Sequence, residues 1–196
     1  GAANPGSRDD AAHRQHGLEV KMSGKTVGIV ILVCALIAGI SMYYLQVYAF
    51  YTEVTPTGTD DVQITASDGN VETILYEDFQ AIDAESSPIR YRACFTTQTP
   101  LSTFLDTYEA HSGATPRNAP GWFDCFDAEA LGAEIRSGQA HVFVGVRNFE
   151  FGIDRVVAVT NDGRGYIWHE VNDCGDKAYD GSPLGEDCPE RDLGGS

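Results

Sequence analysis

The chain has 196 residues, room for one folded domain and an appendage. Its formal charge of −16, with three lysines in all (Lys21, Lys25, Lys177), excludes a nucleic-acid binder, because a phosphate backbone needs clustered Lys and Arg to displace its counterions. An acidic surface of this kind means solubility and repulsion of anionic partners.

Gly1 to Lys21 is polar, lacks a hydrophobic period and reads as disordered, with Met22 as the natural start. Gly24-Lys25-Thr26 resembles the end of a P-loop, but Glu19 stands where that motif needs glycine and no strand precedes it. The strongest signal follows. Val27 to Tyr51 runs for 25 residues without a charge, and about 20 apolar residues suffice to cross a bilayer core. Tyr43, Tyr44, Tyr48 and Tyr51 crowd its C-terminal end, where amphipathic rings favour the water–lipid interface. Lys21 and Lys25 precede it, while Glu53, Asp60 and Asp61 follow, which predicts a cytoplasmic N-terminus. A cleaved signal sequence ending near Val47-Tyr48-Ala49 is the rival reading, disfavoured because such cores span only about 7–15 residues. From Tyr51 onward nine Lys and Arg face 26 Asp and Glu, so the exported part carries −17.

Thr52 to Gly69 is rich in Thr, Asp, Gly and Pro and reads as a linker or edge region. Val71–Tyr76 and Ile89–Thr97 are strand-like, and Pro100 opens a helix over "LSTFLDTYEA". Asp127 caps a second helix, "AEALGAEIRSG", which Gly138 ends. "QAHVFVGVRN", "GIDRVVAVT" and "GYIWHEVN" then form an antiparallel meander, the last two joined by the turn Asn161-Asp162-Gly163-Arg164. The predicted fold is α+β: one transmembrane helix, then a sheet of about five antiparallel strands with two helices on one face. The predicted organisation is a cytoplasmic N-terminus over 1–25 and a transmembrane helix over 26–51. A linker over 52–70, a periplasmic domain over 71–190 and a frayed tail over 191–196 follow.

Five cysteines divide unevenly. Cys34 lies within the apolar stretch, whereas Cys94, Cys125, Cys174 and Cys188 follow it, an even number that favours two disulfides in an oxidising compartment. Of the three possible pairings, Cys94–Cys125 and Cys174–Cys188 are preferred, the first tying a strand to the segment before the second helix, the second pinning a Gly-rich tail. Catalytic use of Cys125 is disfavoured by Asp124 and Asp127, which raise a thiol pKa. No spacing matches a zinc site or a C-x-x-C redox motif. His111, His141 and His169 are scattered, and no G-x-S-x-G is present. Asp173, Asp176 and Asp180 miss the EF-hand spacing and read as a solvated tail. Arg90 and Arg92 are the candidate anion- or partner-binding residues. Alternation in "IRYRACF" puts them on one sheet face, opposite Ile89, Tyr91 and Phe95, with Asp154 as a possible partner across the sheet.

At "SSPIRYRACFTT", "APGWFDCFDA", "FGIDRVVAV" and "DGRGYIWHEVNDCG" the chain resembles a family of uncharacterised single-pass membrane proteins of Rhodobacter-type alphaproteobacteria, over about Met22 to Pro189. The resemblance implies a Gram-negative envelope location and no particular chemistry. Some relatives carry the label histidine kinase, but this chain has neither a phosphoacceptor helix nor an ATP-binding domain, so the label implies at most a sensor's input region. The expectation is a non-enzymatic, membrane-anchored periplasmic domain with an envelope protein as partner and no cofactor. The alternative is an extracytoplasmic ligand-binding module.

Overall fold

Residues 23–185 and 188–189 are described by the structure, a computed structural model. The expectations for residues 1–22 and for the tail over 191–196 lie outside them. The chain divides into two compact units between Tyr43 and Tyr44. The first is most of helix α1 (Gly24–Val47), which has no buried residue and no charge after Lys25. It is the one helix among the described residues long and apolar enough to cross a membrane.

The second unit is built on a six-stranded antiparallel sheet. Its strands are β1 (Thr52–Glu53), β4 (Glu77–Asp83), β5 (Arg92–Thr96), β6 (Ala140–Glu150), β7 (Ile153–Thr160) and β8 (Arg164–Val171). They lie in the order β1-β4-β5-β8-β7-β6, and a separate hairpin pairs β2 (Gln63–Thr65) with β3 (Val71–Thr73). The expected meander is β6-β7-β8, and its second turn sits where the Asn-Asp-Gly signal placed it, with Thr160 Oγ1 accepting from the Arg164 N–H at 3.0 Å. Gly165 on β8 faces the Phe95 ring so closely that a Cβ would stand 2.1 Å from it, so only glycine fits there.

Alternation along the strands sends side chains to two cores. Phe95, Phe143, Val157, Val159 and Ile167 form one with Phe104 of α2 (Leu101–Thr107) and with Val62 and Ile64 around β2. Cys94, Val142, Val156, Ala158 and Trp168 form the other with Leu131 of α3 (Ala128–Ser137) and with Phe123 and Phe126. The α+β class is as expected, but the helices lie on opposite faces of the sheet and not on one.

Two further expectations are corrected. The linker over 52–70 is part of the domain: β1 pairs with β4, and Val62 and Ile64 are fully buried. Asp61 organises it, accepting from the Thr57 and Gly58 N–H groups and from the Tyr76 hydroxyl. The strand predicted from Ile89 begins at Arg92, because Pro88 opens a 3₁₀ turn over Pro88–Arg90, where its fixed φ suits helical backbone. The starts of both α-helices and the end of the second follow the sequence signals, but the first ends at Thr107, three residues short of the expected stretch, because Tyr108 and Ala110 turn extended and bridge to Ala66 and Phe143. Pro100 precedes α2, the Asp127 carboxylate accepts from the Glu129 and Ala130 N–H groups, and Gly138 closes α3 in the left-handed region at φ 75°.

Candidate functional site

Three of the residues singled out in the sequence, Arg92, Cys94 and Cys125, meet around one segment, 117–126, held against the second core. The Cys94–Cys125 disulfide fastens it to β5, with a Cα–Cα separation of 6.2 Å. Arg92 fastens its start. Nε donates to the Arg117 carbonyl at 2.8 Å and Nη2 to that of Asn118 at 3.3 Å, while Nη1 donates to the carbonyls of Ile89 and Tyr91 at 2.9 and 2.6 Å. Only 4% of Arg92 is exposed. Burial, with the like charges of Arg117 and Arg90 and against the pull of Tyr51 and Asp83, lowers its pKa to about 10, so it stays charged at neutral pH.

Arg90 is placed differently. It is exposed on the 3₁₀ turn, its guanidinium carbon 4.3 Å from the centre of the Phe50 ring and 6.0 Å from that of Tyr51. Its Nη1 reaches the Tyr51 hydroxyl at 3.5 Å. The two arginines therefore do not share a sheet face: one is consumed by backbone carbonyls inside the domain, the other projects beside the aromatic residues that follow α1. Nor does Arg92 pair with Asp154, which accepts instead from the Asn148 N–H and from Asn172 Nδ2.

Trp122 completes the arrangement. Its indole N–H donates to the Val47 carbonyl at 2.6 Å, and its ring stacks on Tyr48 and meets Tyr51 edge-on at centroid distances of 6.4 and 6.3 Å. Residues from Tyr44 onward belong to the domain's compact unit, so these contacts are internal to it. Beside Trp122 opens a cleft of about 430 Å³, whose walls include Val54, Pro56, Phe79, Trp122, Phe123 and Cys125. The Cys125 sulfur, being oxidised, offers no thiolate. What this collar presents outward is aromatic surface and a cation, the means of non-covalent contact.

The second disulfide, Cys174–Cys188, clasps the segment after β8 at a Cα–Cα separation of 5.5 Å. Sequence reasoning missed a cluster on the opposite face of the sheet. Arg155, 8% exposed, lies between Tyr91 and Phe149, 4.9 and 4.1 Å from their ring centres. Its Nε–H donates to His169 Nε2 at 3.1 Å, so the other imidazole nitrogen carries the proton and donates to the Pro88 carbonyl at 2.6 Å. Burial lowers the His169 pKa to about 4, outweighing the Pro88 carbonyl, and the ring is neutral at pH 7. Burial likewise raises Tyr91 to about 12. Trp122 carried a signal in the sequence, as an aromatic beside a predicted cystine; Arg155, set in an apolar strand, carried only its charge.

Residues 62–189 match a family described as a family of unknown function, DUF6446, and the chain belongs to it. No curated protein and no solved structure matches the chain.

Proposed function

Taking membership of a family without assigned chemistry as the premise, we propose that this chain is a membrane-tethered extracytoplasmic domain that works by non-covalent contact with an envelope protein, not by catalysis. One observation carries the reading: a 24-residue apolar helix with no buried residue precedes a domain in which all four cysteines are paired. Such a helix is matched to a bilayer, and disulfides persist in oxidising compartments. In this reading α1 lies in the inner membrane with the N-terminus in the cytoplasm and the sheet domain in the periplasm. The tether raises the domain's local concentration at the membrane, which lets weak contacts suffice.

Labelling intact cells with an impermeant maleimide tests topology, using a Cys34→Ser background. The expected result is labelling only after a membrane-impermeant reductant is added; free labelling without it, or none in either case, rejects the reading. Purification of the tagged full chain in mild detergent is expected to bring down a stoichiometric companion protein.

A second reading, a ligand-binding module, draws on the cleft beside Trp122, whose volume of about 430 Å³ lies in the range of small-molecule sites. A ligand that raises the unfolding temperature of the wild type but not of a Phe79→Ala variant would favour it.

A further inference from the structure

The six-stranded sheet closes its two edges unequally. At one end the segment after α2 covers the middle of β6: the Val144 N–H donates to the Glu109 carbonyl at 2.9 Å and the His111 N–H to that of Val142 at 2.8 Å. At the other end β1 covers only the last residues of β4. Thr52 pairs with Asp83 and Glu53 with Ile82, and the Val54 N–H donates to the Ala81 carbonyl at 2.8 Å. The same register carried two residues further sets Pro56 against Phe79. Proline has no N–H to donate, so the ladder stops there. β4 starts back at Glu77, and over Glu77–Gln80 it has a partner in β5 but none in β1.

Beside this uncovered stretch lies the cleft of about 430 Å³, whose walls bring Pro56, Phe79 and Gln80 together with Trp122, Phe123 and Asp124. The Ala81 carbonyl faces β1, and the alternation of a strand turns the Phe79 carbonyl the same way, with no donor from Pro56 to meet it. Alternation also fixes the faces of any strand laid here. Phe79 packs on the first core, whereas Ile82, with Glu53 across from it, lies on the face of the second, as do Trp122 and Phe123. A residue opposite Phe79 therefore meets its ring, and that residue's neighbours meet Trp122 and the carboxylates Glu53 and Asp124. Both carboxylates are exposed, and neither takes part in an ion pair among the described residues. No Lys, Arg or His among the described residues lines the cleft. An edge guarded by acids alone repels a second copy of a chain with a formal charge of −16 and draws in a cationic strand.

We propose that the free edge of β4 beside Trp122 takes up an extended segment of an envelope protein as an added strand, with apolar side chains alternating with Lys or Arg. The proposal rests on the protein-contact reading above and names the form of the partner. Main-chain bonds to β4 supply the affinity, and the alternate side chains supply the selection.

The test uses the full chain in alkyl maltoside micelles and a fluorescein-labelled hexapeptide of alternating lysine and valine, with binding followed by anisotropy. The peptide is expected to bind. N-methylation of its valines, the residues set to face Phe79, is expected to weaken it about tenfold, because each methyl removes a donor aimed at β4. N-methylation of its lysines, whose N–H groups point away from the sheet, is expected to change the affinity less than about twofold. Glutamate in place of lysine is expected to cost at least about tenfold. The double variant Glu53→Gln/Asp124→Asn is expected to unfold at the wild-type temperature, both side chains being exposed, and to bind the lysine peptide about tenfold more weakly at low salt.

No binding, or equal binding of the valine-methylated peptide, overturns the added strand. Displacement by tetramethylammonium as effective as by unlabelled peptide would make the cleft a site for small organic cations and overturn it as well. So would sedimentation of the chain as a dimer that the peptide dissociates, which gives the edge to a second copy. The two claims fail separately. A chain that brings down a stoichiometric companion but binds none of these peptides loses the edge alone, whereas cysteines that label freely in intact cells reject the extracytoplasmic reading whatever the peptides do.

Discussion

Arg92 and Arg155 are both buried, lie in neighbouring rows of one sheet and point to opposite faces of it, yet they are accommodated in different ways. Arg92 sits across from Trp168 and Ile82 and spends four N–H bonds on backbone carbonyls. Arg155 sits across from His169, spends one N–H on an imidazole and is otherwise covered by the faces of Tyr91 and Phe149. Neither forms an ion pair among the described residues. A buried charge without a counter-charge is tolerable only when dipoles or ring faces replace its water. Carbonyls from two separate chain segments make Arg92 a fastener. Ring faces make Arg155 a filler, with His169 held neutral to suit it.

The largest expected effect tests the fastener. Arg92→Met keeps the stem and removes every donor, leaving the Arg117, Asn118, Ile89 and Tyr91 carbonyls to find water or go without. We expect a loss of about 3–4 kcal/mol in urea unfolding of the soluble domain, against about 1–2 kcal/mol for Arg155→Met, where a thioether can rest between the same rings. Equal losses would erase the distinction between the two arginines.

The filler is best tested by pH. The unfolded chain protonates its histidines near the ordinary value of 6.5, whereas folded His169 resists to about 4 because it is buried. Between those values the unfolded state binds more protons, so stability is full above about pH 6.5 and falls as the pH drops toward 4. The expected loss is about 2–3 kcal/mol, shown as a shift in urea midpoint between pH 7 and 4.5. His169→Gln, which can still accept from Arg155 and donate to Pro88, is expected to flatten that slope. A slope unchanged in the variant would assign the loss to carboxylates instead.

Much of this architecture was legible because it is written in local chemistry. Asp127 and Gly138 announce the ends of α3, and Asn161-Asp162-Gly163-Arg164 announces a hairpin; each works through its own backbone. The opposite placement of the two helices was not legible, and β7 explains why. Its "IDRVVAVT" is buried at every position, so alternation marks no solvent face to exclude a helix from. Val62 and Ile64 were hidden for another reason: the strand that holds Ile64 and follows Val62 is three residues long and set among Thr, Asp and Gly, so its apolar pattern is shorter than one window. Of the collar, Arg90 and the tyrosines after α1 were visible as types. The role of Arg92 was not, since the two acceptors that make it a fastener are carbonyls some 25 positions away and a carbonyl leaves no trace in residue identity.

The smallest expected effect separates the two arginines most sharply. Arg92 and the Cys94–Cys125 disulfide restrain the same segment, one at its start and the other near its end, while Arg155 touches neither. Once either restraint is gone the segment is partly free, and losing the other costs less. A double-mutant cycle of Arg92→Met with Cys94→Ala/Cys125→Ala is therefore expected to fall short of additivity by about 1 kcal/mol. The same cycle with Arg155→Met is expected to add within about 0.5 kcal/mol. Additivity in both cycles would mean that the segment keeps its place without Arg92, and that the four carbonyls serve to solvate the charge without fastening the chain.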